Sequence, residues 1–261
     1  MPKIIVCIKQ AVDVTQIRAD PSTRKLITAD APRKISDIDK NALEEAIRIK
    51  EKQGGEVIAV TIGDENAKTA LREALAMGAD KAYHLNDPAF QNTDTRVTSL
   101  ILAEAVRKIG EFDLLLCGET TIDSFTGITS QRVAERLGIP LIMYARKLNL
   151  ESGVIVAEKV LEDRFETVKA KTPAVVTVVK GINEPRIPSL MAIMKASKKE
   201  IVVWNAETVG IPKEKLASAL EIVEVLAPKM ERKKIVIKGE TPAEIAEKLV
   251  KALVQEGVVG R

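Results

Sequence analysis

Residues 118–131 have the side-chain types of a phosphate-binding loop. They read GETTIDSFTGITSQ, directly after an apolar run, and lead into a predicted helix at 129–137. The free N–H groups and positive dipole of a helix start favour phosphate, and the loop's hydroxyls add hydrogen-bond donors. The loop is not a Walker A motif, because it lacks the Gly-Lys-Ser/Thr sequence. Ser and Thr are also ordinary helix caps, and this alternative stays open.

Alternating strands and helices must position this loop. Strands are predicted at four apolar runs, residues 3–8, 56–63, 81–85 and 113–118. Helices are predicted at four segments with helical spacing of apolar residues, each followed by Gly, around residues 42–49, 66–77, 95–109 and 129–137. The pattern predicts an α/β fold with a doubly wound, mostly parallel, Rossmann-like sheet. Such sheets bind ligands at the carboxyl ends of their strands, where residues 118–131 lie.

The pattern changes after Pro140. Three apolar runs, LIMYARKLNL, GVIVAEKVLE and AVVTVV, follow without long helices between them, and Glu151-Ser152-Gly153 predicts a hairpin turn. We therefore expect added antiparallel strands. We expect an α/β domain over residues 1–200 and a C-terminal arm over residues 201–261. In the arm, 205–233 is predicted to be loosely structured, 234–239 to be a strand, and Thr241 to cap a helix. The arm packs either on a partner or on its own domain.

Composition excludes several classes of protein. The net charge of +3 is small, and no basic stripe or aromatic platform suits nucleic acid. No apolar window is long enough to span a membrane, and no signal peptide is evident, so we expect a cytoplasmic protein. The two cysteines are expected to be reduced strand-end residues. The single histidine argues against a Ser-His-Asp triad, and we predict no metal site and no catalytic residue.

A second segment, residues 183–199, combines stiffness, apolar side chains and positive charge. Pro185 and Pro188 restrict the backbone, and a cationic run at 195–199 ends the segment. Between them lie the apolar residues Leu190, Met191, Ile193 and Met194. A rigid loop of this kind is suited to docking. The alternative is a Pro-rich turn that buries these four side chains in the chain's own core.

The sequence of this segment, NEPRIPSLMAIMKASKK, resembles the signature of the electron-transfer flavoprotein beta subunit, a FixA-like family. The similarity begins at KIIVCIKQ and becomes vague in the arm. It implies an electron carrier that pairs with an alpha subunit, on which the arm would pack. Its further partners would be an acyl-CoA or other dehydrogenase, or a quinone oxidoreductase. Docking would involve Pro188, Leu190 and Met191.

The resemblance also implies that the domain binds an adenine nucleotide in a crevice above the strand ends. The positions that carry over are Cys7, Ile8, Lys9, Ser36, Asp37, Ile38, Asp39, Ile62, Gly63, Cys117, Gly118, Asp123, Ser124, Phe125, Thr126, Gly127, Ile128, Thr129, Ser130 and Gln131.

The identity of the nucleotide stays open between FAD and AMP, with the redox-shuttling FAD held mainly by the alpha subunit. Asp39, Thr126 and Gly127 resemble members that hold a second FAD and bifurcate electrons, and they favour FAD. Thr129 and Gln131 match members that hold AMP. With FAD, the resemblance implies hydride uptake from NADH and electron bifurcation. With AMP, it implies a structural nucleotide in a plain carrier between dehydrogenases and downstream acceptors.

One stretch departs from the family. The family's Val-Glu-Arg-Glu corresponds here to residues 157–160, where Lys159 replaces Arg and Val160 replaces the second Glu. Lysine keeps the charge but not the planar fork of arginine. Arg164 and Glu166 are the nearby residues that could take over these roles.

Two other classes of function fit the sequence less well. A nucleotide-hydrolysing enzyme of the ATP-pyrophosphatase type would need an S-G-G-x-D-S loop after the first strand, but KQAVD at 9–13 lacks the glycines. A nucleotide-sensing stress protein would not explain the signature at 183–199.

Overall fold

The computed structural model describes residues 1–229 and 233–259. The strands are β1 (Lys3–Cys7), β2 (Gln10–Val12), β3 (Arg18–Ala19), β4 (Leu26–Ile27), β5 (Arg33–Ile35), β6 (Glu56–Ile62), β7 (Lys81–Leu85), β8 (Leu114–Gly118), β9 (Leu141–Glu151), β10 (Val154–Val160), β11 (Phe165–Lys171), β12 (Ala174–Val178) and β13 (Val202–Trp204). The helices are α1 (Asp37–Gln53), α2 (Lys68–Met77), α3 (Thr95–Ile109), α4 (Thr129–Leu137), α5 (Leu190–Lys198) and α6 (Pro242–Gln255).

Nine strands form one sheet in the order β11-β10-β9-β12-β8-β1-β6-β7-β13. Along this spatial order, every neighbouring pair from β9 through β12, β8, β1, β6 and β7 to β13 is parallel. The β9–β10 and β10–β11 pairs are antiparallel. Strands β8 and β12 are buried throughout, as expected for apolar strands covered on both faces. Helices α1 and α2 cover one face, and α3 and α4 cover the other. The predicted doubly wound α/β fold with added antiparallel strands is confirmed.

The predicted hairpin at Ser152-Gly153 is confirmed between β9 and β10. Both turn residues have positive φ, 49° and 78°, as a two-residue hairpin with the favoured twist requires. Strand β11 was not predicted, because FETVKAK is mostly polar and lies at the exposed sheet edge. The polar stretch between β1 and α1 forms two small antiparallel pairs, β2-β5 and β3-β4.

The C-terminal arm differs from expectation in two places. The sheet extends past position 200, because β13 adds a parallel edge strand beside β7. The predicted strand at 234–239 is wrong: within 1–229 and 233–259 no strand pairs with these residues, and Ile235 and Val236 are exposed. An apolar run does not form a strand unless another strand satisfies its backbone groups. Residues 205–229 contain a short 3-10 turn, Lys213–Leu216, and an isolated bridge in which Leu226 pairs with Lys25, and they are otherwise a loose connection as expected. Positions 230–232 of the predicted connection lie outside the described residues.

Thr241 caps α6 as predicted, since its side chain accepts a hydrogen bond from the N–H of Glu244 at 3.2 Å. No residue of α6 is buried. In the described residues the arm therefore does not bury this helix against its own domain. None of the described helices is both long enough and apolar enough to cross a membrane.

The segment at 183–199 is also corrected. The expected rigid loop is extended only as far as Ser189, and the apolar residues after it form α5. Ser189 caps this helix by accepting a hydrogen bond from the N–H of Ala192. Leu190 is 74% exposed and Met191 68% exposed. The alternative in which these side chains are buried in the chain's own core is therefore wrong.

Candidate functional site

Three strand ends meet at one edge of the sheet. Strand β1 lies between β8 and β6, with Val6 opposite Leu116 and Cys7 opposite Val60. The chain leaves β1 towards β6 on one side and later returns to β8 on the other. This reversal is the topological switch point at which doubly wound sheets form a ligand crevice. The structure thereby brings together the predicted residues at 7–9, 62–63 and 117–118.

The first turn of α1 closes over the switch point through Asp39. One carboxylate oxygen of Asp39 accepts the N–H of Lys9 at 2.9 Å, and the other accepts the N–H of Gly118 at 3.0 Å. A Cβ at position 118 would lie 2.6 Å from that second oxygen, so only glycine fits there. Asp39 therefore fixes α1 to the ends of both β1 and β8.

The environment of Asp39 changes its ionisation. The side chain is almost fully buried, and burial raises the pKa of Asp39 to about 7, although the hydrogen bonds from Lys9 and Gly118 oppose this shift. The carboxyl group therefore exchanges between its neutral and charged forms near neutral pH.

The 118–131 loop is tied to the same edge. Lys9 Nζ lies 2.7 Å from Asp123 Oδ2, and the N–H of Ile122 donates to Ser36 Oγ at 3.3 Å. Burial alone would raise the pKa of Asp123, but hydrogen bonds from Lys9 and Thr121 hold the pKa below its ordinary value. The negative charge of Asp123 thus fixes the Lys9 ammonium group beside the loop.

The start of α4 has no side-chain cap. Ile128 occupies the N-cap position and supplies no hydrogen bond, so the hydroxyls of Thr129 and Ser130 are not caps here. Phe125 and Gly127 have positive φ, 52° and 62°, which turn the chain sharply before the helix. Uncapped N–H groups at a helix start are available to an anion.

The two cysteines lie side by side at the ends of β1 and β8. Both are free thiols on the same face of the sheet. A hydrogen bond with Cys117, together with burial, raises the pKa of the Cys7 thiol well above its ordinary value. Such thiols are unreactive.

Several predicted site residues are buried or already paired within the chain, and the buried ones include Ile8, Ser36, Asp39, Cys117 and Ser130. Ile38 is buried in the core, and Asp37 lies 3.1 Å from the ammonium group of Lys34. The residues assigned to docking are separate from the crevice, because Leu190 and Met191 belong to α5, which packs on α2. Pro188 lines a groove of about 510 Å³ between the 183–188 segment and α1. Among the described residues, no group of His, Cys, Asp and Glu is arranged to hold a metal ion.

Sequence reasoning missed a polar cluster on α1. Asn41 and Glu44 are buried and bond Asn183 and Arg186. The available signal was the pair of polar residues Asn183 and Arg186 inside the signature. Their partners on α1, Asn41 and Glu44, could not be inferred, because they lie about 140 residues earlier in the chain.

The departing stretch lies on β10. Lys159 is opposite Glu166, and Val160 is opposite Phe165. Arg164 lies 3.0 Å from Glu166, and Glu158 is paired with Arg146. Glu166, one of the two residues that could take over the lost roles, therefore lies opposite Lys159. Arg164, the other, pairs with Glu166 from the turn between β10 and β11.

Comparison with known proteins agrees with this architecture. Residues 23–209 match the family model "Electron transfer flavoprotein domain". The chain is 40% identical to the electron transfer flavoprotein subunit beta of Thermoanaerobacterium thermosaccharolyticum, over 98% of this chain and 99% of that protein. It is 36% identical to the caffeyl-CoA reductase-Etf complex subunit CarD of Acetobacterium woodii, over 98% and 100%. It is 32% identical to the electron transfer flavoprotein subunit beta of Megasphaera elsdenii, over 98% of this chain and 100% of that protein.

The sheet order and its switch point define an α/β protein of Rossmann-like topology. With matches over nearly its whole length, the chain belongs to the electron transfer flavoprotein family, as a beta subunit. Its role is therefore in electron transfer, and beta subunits of this family pair with alpha subunits. The predicted family is confirmed.

Proposed function

We propose that this chain binds an adenine nucleotide in the crevice above β8, β1 and β6, with FAD favoured over AMP. The observation that carries the proposal is the uncapped start of α4, in the same loop whose Asp123 pairs with Lys9. The helix end supplies N–H donors, and the ammonium group of Lys9 supplies positive charge. The N–H donors and the positive charge both favour phosphate binding.

The glycines at the strand ends are required by the chain's own packing. A Cβ at Gly63 would lie 2.6 Å from the Cβ of Ala67, and a Cβ at Gly118 would lie 2.6 Å from Asp39 Oδ1. The proposal of a ligand here therefore does not rest on these glycines. The preference for FAD rests on the resemblance of Asp39, Thr126 and Gly127 to members that hold a second flavin.

This chain's contribution to electron transfer is binding and orientation. A bound flavin supplies the redox chemistry. Lys9 and the N–H groups of α4 would hold its phosphates, and Asp39 would fix the strand ends that form the crevice floor. Asp39 also places a carboxyl group with a pKa of about 7 next to these strand ends. With FAD bound here, the function extends to bifurcation of electrons from NADH; with AMP, the chain is part of a plain carrier.

We further propose that α5 is the docking surface for a partner dehydrogenase. Its exposed face carries Leu190, Met191 and Met194, and Lys195 and Lys198 follow. An exposed apolar patch on a helix end is typical of a protein interface. The relative CarD is named as a subunit of a complex with caffeyl-CoA reductase, which supports a partner of this class.

The arm is proposed to pack on the alpha subunit. Its described residues leave many apolar side chains exposed, among them Leu220, Ile222, Val223, Val225, Ile235, Val236, Leu249 and Val250. A chain with this much exposed apolar surface in one arm is suited to a permanent partner. In this proposal residues 1–200 form the nucleotide-binding domain and residues 201–261 form the arm, whose first strand, β13, joins the sheet of the domain.

The experiment that tests the nucleotide is analysis of the co-expressed heterodimer. The purified complex is denatured, and released flavin and AMP are quantified by chromatography and absorbance. Two flavins per heterodimer would support FAD in this subunit. One flavin with one AMP would support AMP in this subunit and the role of a plain electron carrier. A heterodimer whose crevice releases neither nucleotide would overturn the proposal.

A further inference from the structure

Helix α5 is held in place mainly at its two ends. Of its nine residues, only Ala196 is buried. Its large apolar side chains, which would normally fix a helix by packing, are exposed instead. The position of α5 on the domain must therefore depend on other contacts.

The chain just before α5 is bonded to α1 through Arg186. Its guanidinium group bonds Glu44 at 2.8 Å through Nε and Glu51 at 2.9 Å through Nη2, and its backbone N–H also donates to Glu44 at 3.1 Å. Glu44 is nearly fully buried. A planar guanidinium can bond two carboxylates in fixed directions, which an ammonium group cannot.

Glu44 and Arg186 hold each other in their charged forms. Burial alone would raise the pKa of Glu44, but hydrogen bonds from Arg186 and Arg48 hold the pKa below its ordinary value. Hydrogen bonds to Glu51 and Glu44 raise the pKa of Arg186. Both partners therefore stay charged at neutral pH.

A pair of amide side chains adds a second link to α1. Asn41 Nδ2 donates to the carbonyl of Asn183 at 2.7 Å, and Asn183 Nδ2 returns a bond to the carbonyl of Asn41 at 3.0 Å. Asn183 also donates to Glu45 at 2.9 Å. These reciprocal bonds fix the backbone of the segment that leads into α5.

The other end of α5 is bonded to α2. Arg72 Nη1 donates to the carbonyl of Ala196 at 2.8 Å and also bonds the carbonyl of Lys199. Lys199 Nζ donates to the carbonyl of Ala79 at 2.8 Å. Cationic groups therefore occupy the carbonyl end of the helix, where its dipole favours them.

We propose that Arg186 and Arg72 are positioning residues that set the orientation of α5, so that its exposed apolar side chains meet a partner in a fixed arrangement. The inference rests on the proposed docking function of α5. A surface that docks must keep its apolar residues out of its own core, and polar bonds at both ends hold it without burying them. Ordering this helix before the partner arrives lowers the entropy cost of binding.

The test uses Arg186→Lys, Arg186→Gln and Arg72→Lys in the heterodimer with the alpha subunit. Arg186→Lys keeps the charge that buried Glu44 needs, so it folds even if Arg186→Gln does not. The control is Arg107→Gln, which removes an arginine that bonds Glu104 and the carbonyl of Arg136 between α3 and α4. Hydrogen exchange of residues 190–198 is measured by mass spectrometry without any dehydrogenase. An acyl-CoA dehydrogenase that reduces the wild-type complex then gives kcat and KM for each variant.

We expect exchange in 190–198 to become about tenfold faster in the Arg186 and Arg72 variants, which corresponds to ~1.4 kcal/mol. The KM for the carrier should rise by roughly three- to tenfold with kcat and flavin content unchanged. The control should change neither the exchange of 190–198 nor the KM.

Two results would overturn the positioning role. One is unchanged exchange in 190–198 in all three variants. The other is faster exchange across the whole chain with a lower melting temperature, which would mean that these arginines only stabilise the fold. An unchanged KM in Leu190→Ala would instead overturn docking by α5, and the exchange data would still decide whether the arginines position the helix.

Discussion

Asp39 and Gly118 are in contact across the switch point of the sheet: the N–H of Gly118 donates to Asp39 Oδ1 at 3.0 Å. A Cβ on residue 118 would lie 2.6 Å from this oxygen and 3.0 Å from the backbone nitrogen of Asp39. The relationship joins the start of α1 to the end of β8, and the proposed nucleotide crevice lies above it. Several expectations depend on this geometry.

Gly118→Ala should separate α1 from β8, because backbone atoms of α1 cannot move aside as a flexible side chain could. We expect a loss of about 1–3 kcal/mol in the free energy of unfolding, as for other overpacked sites. The heterodimer should also lose most of the nucleotide from this subunit. Denaturant unfolding and nucleotide release measure the two effects.

The matched control is Gly181→Ala. A Cβ at Gly181 meets no atom within 4 Å, and its φ is not positive. Its stability and nucleotide content should equal those of the wild type. If Gly118→Ala keeps the stability and nucleotide content of this control, the contact between residue 118 and Asp39 does not require glycine.

The stability of the chain should depend on pH through Asp39. The pKa of Asp39 is about 7 in the folded chain and 3.8 in the unfolded chain, so the folded state binds more protons between these values. The contribution of Asp39 is therefore fully present below about pH 4 and is lost as pH rises through 7, at up to about 1.4 kcal/mol per pH unit.

The measurement is urea unfolding of wild type and Asp39→Asn in steps from pH 5 to pH 8. The difference in free energy of unfolding, wild type minus variant, should decrease from pH 5 to about pH 7 and level off towards pH 8. A difference that does not vary with pH would show that the carboxyl group has an ordinary pKa.

Leu190→Ala should weaken docking without affecting the nucleotide. Leu190 is 74% exposed, so the free energy of unfolding should change by no more than about 0.5 kcal/mol. If Leu190 is an interface anchor, the KM for the carrier with a dehydrogenase should rise by roughly tenfold or more. Steady-state kinetics and flavin absorbance separate the two properties.

Ile27→Ala provides the comparison for Leu190, since Ile27 is also an exposed apolar residue but lies on β4. Its KM should match the wild type. Loss of flavin with unchanged KM in Leu190→Ala would contradict the assignment of α5 to docking.

Leu249→Glu should disrupt the heterodimer while leaving this chain folded. Leu249 lies on α6, none of whose residues is buried in the chain itself. A buried unpaired charge at an interface costs about 2 kcal/mol or more. Size-exclusion chromatography should therefore show separate subunits, with an unchanged circular dichroism spectrum for the isolated chain.

Lys251→Glu tests whether charge alone explains that result. Lys251 lies two residues further on the same helix and is paired with Glu247 at its exposed surface. Its heterodimer should remain intact. If both variants assemble normally, α6 does not contribute to the alpha-subunit interface.

Periodicity predicted the alternating elements well, because apolar spacing records which faces of a segment are buried. The bounds of α3, α4 and β7 agree with the sequence prediction residue for residue. Prediction failed where burial did not follow apolarity. Residues 234–239 are apolar but have no strand partner, and α5 has its apolar residues on the outside.

The candidate crevice was predictable in outline but not in its contacts. The carboxyl ends of neighbouring parallel strands had to meet, so residues 7–9, 62–63 and 117–118 could be grouped from the element order. The bonds of Asp39 to Lys9 and Gly118 join residues 30 and 79 positions apart. No local pattern encodes such a distant pair of partners.

The sequence by itself determined the strand–helix alternation up to α4, the mostly parallel sheet and the family, because these depend on local periodicity and on one long signature. Only the tertiary structure decided that Asp39 bonds the ends of β1 and β8 and that Arg186 bonds Glu44 and Glu51 just before α5. The reason is physical. A buried polar group is stabilised by whichever partner the packed elements bring within hydrogen-bond distance, and that partner is chosen in three dimensions.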